Sequence, residues 1–382
     1  MKRLLHLGAL ALTATLAAVA QMTPASHIYR SGNEWIEESS GALSAAQTIR
    51  VKSNAGSIRV QGGAQENVTY IARKHVCAKI AGSESLARRE FSRMRIVNYV
   101  SGDVVWIRGE SEGGGCRGAI DFELVVPKSS ALVRLETGAG SVAANNISGK
   151  VEIFTGAGSV RLDQVGGSAS ISSGGGSVDI GKAGGDLRIT TGGGNIQIDS
   201  AAGEVFANTG GGGVTVGTGK GMVLQTGGGN IVIKGECNGR LQATTGGGNI
   251  KIFQVDGGAL LRTGGGGINT GRIQGGVRAE TGAGAIVAEL GAGGTPFTDS
   301  RLETPVGDII VYVPDNLGVT IRATVQLSHG DGIYSDFSQI KITRSADTYG
   351  PREAYAEGSL NGGGPVLHVH TNTGSIEFRR KK

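Results

Sequence analysis

The stretch TGGGNIQIDSAAGEVFANTGGGGVTV, residues 191–216, decides the fold. It opens with a Thr and three glycines and reaches the apolar pair Ile196/Ile198. It then crosses a small-residue corner to a second pair, Val205/Ala207, and meets Thr-Gly-Gly again at Thr209. Alternation with period two places both members of a pair on one face of a strand. Working outward, the same phrase begins at Thr137, Thr155, Ser173, Thr191, Thr209, Thr226, Thr245, Thr263 and Thr281, spaced 18, 18, 18, 18, 17, 19, 18 and 18 residues apart. A period this steady, with one deletion made good by the next insertion, marks each repeat as one turn of a stacked solenoid.

The repeat cannot be helical, because each interior glycine costs about 0.5–1 kcal/mol relative to alanine. The glycines instead serve the corners, where a chain reverses most easily without a Cβ. One coil alone is not stable, since ordering its backbone costs more than its few inward apolar side chains return. Stacking coils about 4.8 Å apart pairs the backbone groups and joins the apolar pairs into columns. The expected core is Leu187, Ile189, Ile196, Ile198, Ile231, Ile233, Ile250 and Ile252. The Thr that opens each phrase, and Asn195, Asn230 and Asn249 four residues further on, read as polar ladders along the corner. The fold class is therefore all-β, a single-stranded β-solenoid with 18-residue coils. It is expected to be right-handed; a three-sided left-handed coil of the same length is the alternative.

Before and after the regular tract (137–303) the pattern loosens. Residues 1–20, MKRLLHLGALALTATLAAVA, combine two basic residues, an apolar run and a small-residue end. That is the form of a secretory signal peptide, and it implies export to the periplasm, the outer cell surface or the medium. Residues 21–45 read as a flexible lead-in. Residues 46–136 carry strands and one short helix, Glu84 to Arg95, with Leu86, Phe91 and Met94 at helical spacing. Such a helix is expected over the end of the solenoid, whose last strands need covering. Residues 304–382 read as further strands, a loop over 344–364 and a basic tail. Cys77 and Cys116 lie before the tract and are candidates for a disulfide, leaving Cys237 unpaired; three free thiols are the alternative.

Function is less legible. The GxGxxG matches never lie between a strand and a long helix, so dinucleotide binding is not indicated. The corners lack the aspartate of calcium-binding repeats, and no Cys/His spacing suits zinc. His368 and His370 share a strand face without an evident third ligand. No cofactor is expected. The net charge of +5 includes Lys2 and Arg3 of the leader and is too small to argue for nucleic acid. Outward acids such as Glu152 and Asp179 look scattered, so catalysis is not the first reading; a carbohydrate-active β-helix enzyme is the alternative. The outward position between the second apolar pair reads Arg188, Phe206, Val223, Gln242, Leu260, Arg278 along the stack. Phe206, Val223 and Leu260, flanked by Arg188 and Arg278, form a candidate binding face.

Several phrases give the chain a resemblance. NAGSIRV (54–60), the short helix, FELVVPKSSALVRLETGAGSV (122–142), VPDNLGVTIRATV (313–325), YSDF (334–337) and TNTGSIEF (371–378) occur in the order seen in a bacterial family of adhesin-like β-strand-repeat proteins, similar to head-domain adhesin-like proteins with Gly-Ser-Gly turns. The likeness spans about residues 45–380. It implies an exported solenoid without catalytic residues. It also implies an adhesive role; the partner itself is not legible, the candidates being an envelope polysaccharide, a surface protein or a second copy of the chain, and no transmembrane segment is expected after the leader is removed.

Overall fold

The computed structural model describes residues 26–112, 116, 118–327, 332–345 and 353–381. The expected signal peptide therefore lies outside the described residues. The chain is a β-solenoid: each regular coil gives one strand to each of two sheets, parallel through the regular tract, with 17 strands in each among the described residues. Each coil crosses two sheets rather than three, with one apolar pair of the repeat in each.

We call sheet A the one holding strands such as Ile196–Ala201 and Val214–Thr218, and sheet B the one holding Leu187–Thr191 and Glu204–Thr209. Register advances by one coil at each step. Ile196 faces Val214 in sheet A, and Leu187 faces Val205 in sheet B. The eight expected core residues are all buried. A third inward column completes the core: Val165, Ala183, Ala201, Cys237, Val255, Ile273 and Leu290. The 17-residue coil is absorbed by a shortened corner, which sets Gly221 opposite Glu204. The 19-residue coil is absorbed by a bulge between Ile233 and Glu236, which brings Cys237 into line with Val255.

The corners are tied by side chain to backbone rather than side chain to side chain. Each Thr is buried, and its hydroxyl donates to a glycine carbonyl of the preceding coil: Thr191 to Gly176 at 2.9 Å, Thr209 to Gly194 at 2.8 Å. The same Thr209 oxygen accepts from the Gly212 N–H at 3.3 Å. The Asn195 and Asn249 side-chain oxygens accept from the N–H groups of Gly213 and Gly267, each at 2.8 Å. The glycines differ in role. A Cβ on Gly194 would drive into the carbonyl oxygen of Gly176, whereas one on Gly193 meets nothing within 4 Å. Close approach of successive coils, not a left-handed backbone, demands the third glycine of this phrase.

The ends depart from sequence order. Strands Thr48–Ser53 and Ile58–Gly63 form the first coil in sequence. In space it lies between the coil of Val104–Glu110 and Ala119–Pro127 and the coil of Leu132–Ala139 and Val142–Asn145. The far end does the same. Val366–Thr373 and Ile376–Lys381, last in sequence, lie between Ser300–Val306/Ile309–Pro314 and Val319–Val325/Ile333–Ser335. Beyond the woven coils the pairing turns antiparallel. Val68–Cys77, Glu34–Leu43 and His27–Ser31 extend sheet A, and Arg95–Ser101 extends sheet B. At the C-terminal end Ala354–Leu360 and Lys341–Arg344 extend sheet B.

Three expectations are corrected here. Residues 27–43 of the supposed flexible lead-in form a hairpin turning at Gly32, whose φ of 58° suits the turn. The helix runs only from Glu84 to Phe91. It packs on Val68–Cys77 and Glu34–Leu43, burying Ala87 and Phe91 and leaving Leu86 45% exposed. Within the expected loop over 344–364, residues 354–360 are a strand because they pair along Val319–Val325; residues 346–352 lie outside the described set. Cys77 is bonded to Cys116, and Cys237 is free and buried.

Candidate functional site

The outward column of sheet B is continuous. Pairing sets Arg188 beside Phe206, Phe206 beside Val223, Val223 beside Gln242, Gln242 beside Leu260 and Leu260 beside Arg278. These residues share a face because each occupies the middle of a strand whose two neighbours point inward. Phe206, Val223 and Leu260 are half-buried, so the strip is shallow. The two arginines are not equivalent rims. Arg188 lies over the Phe206 ring at 4.5 Å, a cation–π contact. Arg278 donates from Nε to Glu280 at 2.5 Å, and Arg262 reaches the same carboxylate at 3.0 Å. Partial burial pushes the Glu280 carboxyl up, but the hydrogen bonds from Arg278 and Arg262 outweigh it and hold it below its ordinary range.

Sheet A carries two grooves that the sequence reading missed. The larger, about 1040 Å³, is lined by Val232, Lys251, Phe253, Val287 and Tyr312. Phe253 is 59% exposed there. Its position in the repeat is filled by glycine in the next coil, Gly271, so no side chain covers the ring; that contrast was readable in the sequence. The smaller groove, about 390 Å³, gathers Asp163, Asp179 and Asp199 with Arg59, Arg161 and Gln197. The three aspartates line one groove without aligning: Asp179 is paired with Arg161 and Gln197 in the neighbouring coils, and Asp163 and Asp199 stand in a different column. Arg161 stands 3.7 Å from the Asp179 carboxylate. Glu152 lies in sheet B instead, between Arg134 at 3.3 Å and Lys150 at 2.7 Å. Hydrogen bonding to Lys150 lowers its pKa most, against a smaller opposing push from burial. His370 bonds Asn372 at 2.9 Å.

Fold and faces together define a parallel β-solenoid whose flat sides present side-chain columns and shallow grooves. Two solved structures are similar over 91% of this chain. One is a candidate cell adhesion protein from Clostridium sporogenes, 10% identical, covered over its whole length with a TM-score of 0.23. The other is a candidate adhesin from Bacteroides fragilis, 9% identical, covered over 97% with a TM-score of 0.27. Superpositions this loose carry no argument about function. No protein-family model and no curated protein matches the chain.

Proposed function

We propose that the protein is an exported, non-catalytic scaffold that attaches to an envelope polysaccharide, to a surface protein or to its own copies. The observation that carries this reading is Phe253, an aromatic ring 59% exposed in a groove of about 1040 Å³ on a flat sheet. An outward aromatic of this kind adds little to folding and offers apolar contact area to a partner. The Phe206–Leu260 strip lies on the other sheet of overlapping coils and offers a second contact face. The test pairs Phe253→Ser with the double change Phe206→Ser and Leu260→Ser. Both should melt as the parent does and attach less to cells, envelope material or one another. Undiminished attachment by both folded variants contradicts the reading. Protease treatment of intact cells separates a surface adhesin, which is cut, from an internal envelope component, which is spared.

The presence of Asp163, Asp179 and Asp199 along one groove motivates a second reading, a carbohydrate-active enzyme. It requires turnover of a polysaccharide that disappears in Asp163→Asn; no turnover on envelope or plant polysaccharides removes it.

A further inference from the structure

The N-terminal end of the sheet B face holds a different kind of site. Weaving the first coil inward sets Arg50 between Trp106 and Arg134 on neighbouring strands. The Arg50 and Arg108 guanidinium carbons lie 4.9 and 4.6 Å from the centre of the Trp106 ring. Tyr99 stacks on the same indole, with ring centres 6.3 Å apart and planes 17° apart. A guanidinium held by its face keeps its in-plane N–H groups for a planar anion. The Nε atoms of Arg50 and Arg108 are both buried and make no hydrogen bond. Leaving a buried donor unmatched costs about 1–3 kcal/mol, and here two stand in one wall. Neither arginine has a carboxylate partner among the described residues, in contrast to Arg134, which bonds Glu136 at 2.6 Å.

Arg50, Trp106, Arg108 and Arg134 line a pocket of about 600 Å³ with six cationic and three acidic side chains around it. The cations are spread over four adjacent strands, from Arg95 through Arg108 and Arg50 to Arg134. At about 4.8 Å per strand, that span exceeds what one small anion touches and suits a chain bearing an anion on successive units. The Trp106 indole, which lines the same pocket, supplies apolar surface of the kind that packs against the C–H face of a sugar ring.

We propose that this pocket binds an acidic polysaccharide, with Arg50 and Arg108 receiving a carboxylate of one sugar unit. This site is separate from the Phe253 groove and the Phe206 strip, so its failure leaves the attachment reading standing, and the reverse. The test uses the full exported chain with sodium polygalacturonate, neutral dextran and inorganic phosphate as probes, read by intrinsic tryptophan fluorescence. Trp106 is one of only two tryptophans. Polygalacturonate should bind and shift the fluorescence, weakening as salt is raised; dextran should not bind. Arg50→Gln with Arg108→Gln should weaken binding about tenfold or more with an unchanged melting temperature. If that variant unfolds, Arg50→Lys with Arg108→Lys keeps the charge without the planar fork and should show the same direction of loss. Equal binding of dextran, undiminished binding by the folded variants, or phosphate competing as well as the polymer would each overturn the proposal.

Discussion

The middle of the solenoid and its ends solve the same problem in opposite ways. Between Thr137 and Thr281 the order of coils in space is their order in sequence, and each coil repeats its neighbour's hydrogen bonds. At the ends the order is broken. The first and last coils, carrying SNAGSIRV (53–60) and TNTGSIEF (371–378), are each threaded beneath a later or earlier coil. An outermost parallel strand exposes a row of unpaired backbone groups and frays easily. A coil held between two others cannot leave until one of them does. The woven coils also keep the corner chemistry of the middle: Thr137 donates to the Gly56 carbonyl at 2.7 Å, and Thr371 to that of Gly307 at 3.0 Å.

The sharpest way to break this comparison is by deletion. Removing one internal repeat, residues 191–208, should leave a shorter folded solenoid, because Thr209 then takes the place of Thr191. Removing residues 366–382 should unfold the C-terminal part, since the strands at Ile309 and Val319 both lose a partner. Equal tolerance of both deletions, read by circular dichroism and proteolysis, would refute the locking role. Next in size is Gly194→Ala, which forces a Cβ into the Gly176 carbonyl and should cost roughly 1–3 kcal/mol or more. Its neighbour Gly193→Ala should stay within about 0.5 kcal/mol. Chemical denaturation of the pair measures the difference, and similar midpoints would mean the coils are not packed backbone to backbone. Cys77 and Cys116 close a loop of sequence separation 39, so replacing both with Ser should cost about 2–4 kcal/mol. Cys237→Ser, by contrast, should act through the core rather than through a lost crosslink.

The smallest expected effect is a pH dependence confined to the N-terminal end. His75 lies 3.2 Å from Asp121 and 3.2 Å from Glu34. The Asp121 carboxylate beside it raises its pKa above the ordinary 6.5, against the opposing pull of burial. Burial pushes Asp121 up, but the neighbouring His75 imidazole and the hydrogen bond from the Ser57 N–H outweigh it and hold it below 3.8. The His75 contribution is full below 6.5 and is lost as pH rises through its raised value. The Asp121 contribution is full above 3.8 and is lost as pH falls through its lowered value. Melting should therefore drop modestly on the alkaline side of 6.5, and His75→Gln should remove that drop. An unchanged profile in the variant would assign the drop elsewhere.

The contrast between middle and ends also explains what was legible in the sequence. The period exposed the coils, the core pairs and the Phe206 column, because in the middle a neighbour in space is a neighbour one repeat away. Arg50 between Trp106 and Arg134 could not be found that way, since residues 64–103 interrupt the period before Trp106 and the contact with Arg134 depends on which coil is threaded where. The hairpin over 27–43 had a local signal, the Gly32-Asn33 turn between two strand-like runs, that went unread beside the stronger repeats. The helix ended early because Phe91 already fills the cleft over Val68–Cys77, leaving Met94 to bury itself from the following turn.

Threading of the first coil underlies both the locked end and the placing of Arg50 between Trp106 and Arg134, and one crosslinking measurement tests it. Gln61 is paired with Asn145 on one side and with Val125 on the other, which puts Val125 and Asn145 two strands apart. In a Cys237→Ser background under mild oxidation, Gln61→Cys with Asn145→Cys should form a disulfide, and Val125→Cys with Asn145→Cys should not. A solenoid stacked in sequence order would give the reverse, joining 125 to 145 and leaving 61 unlinked to 145, and that result would contradict the account.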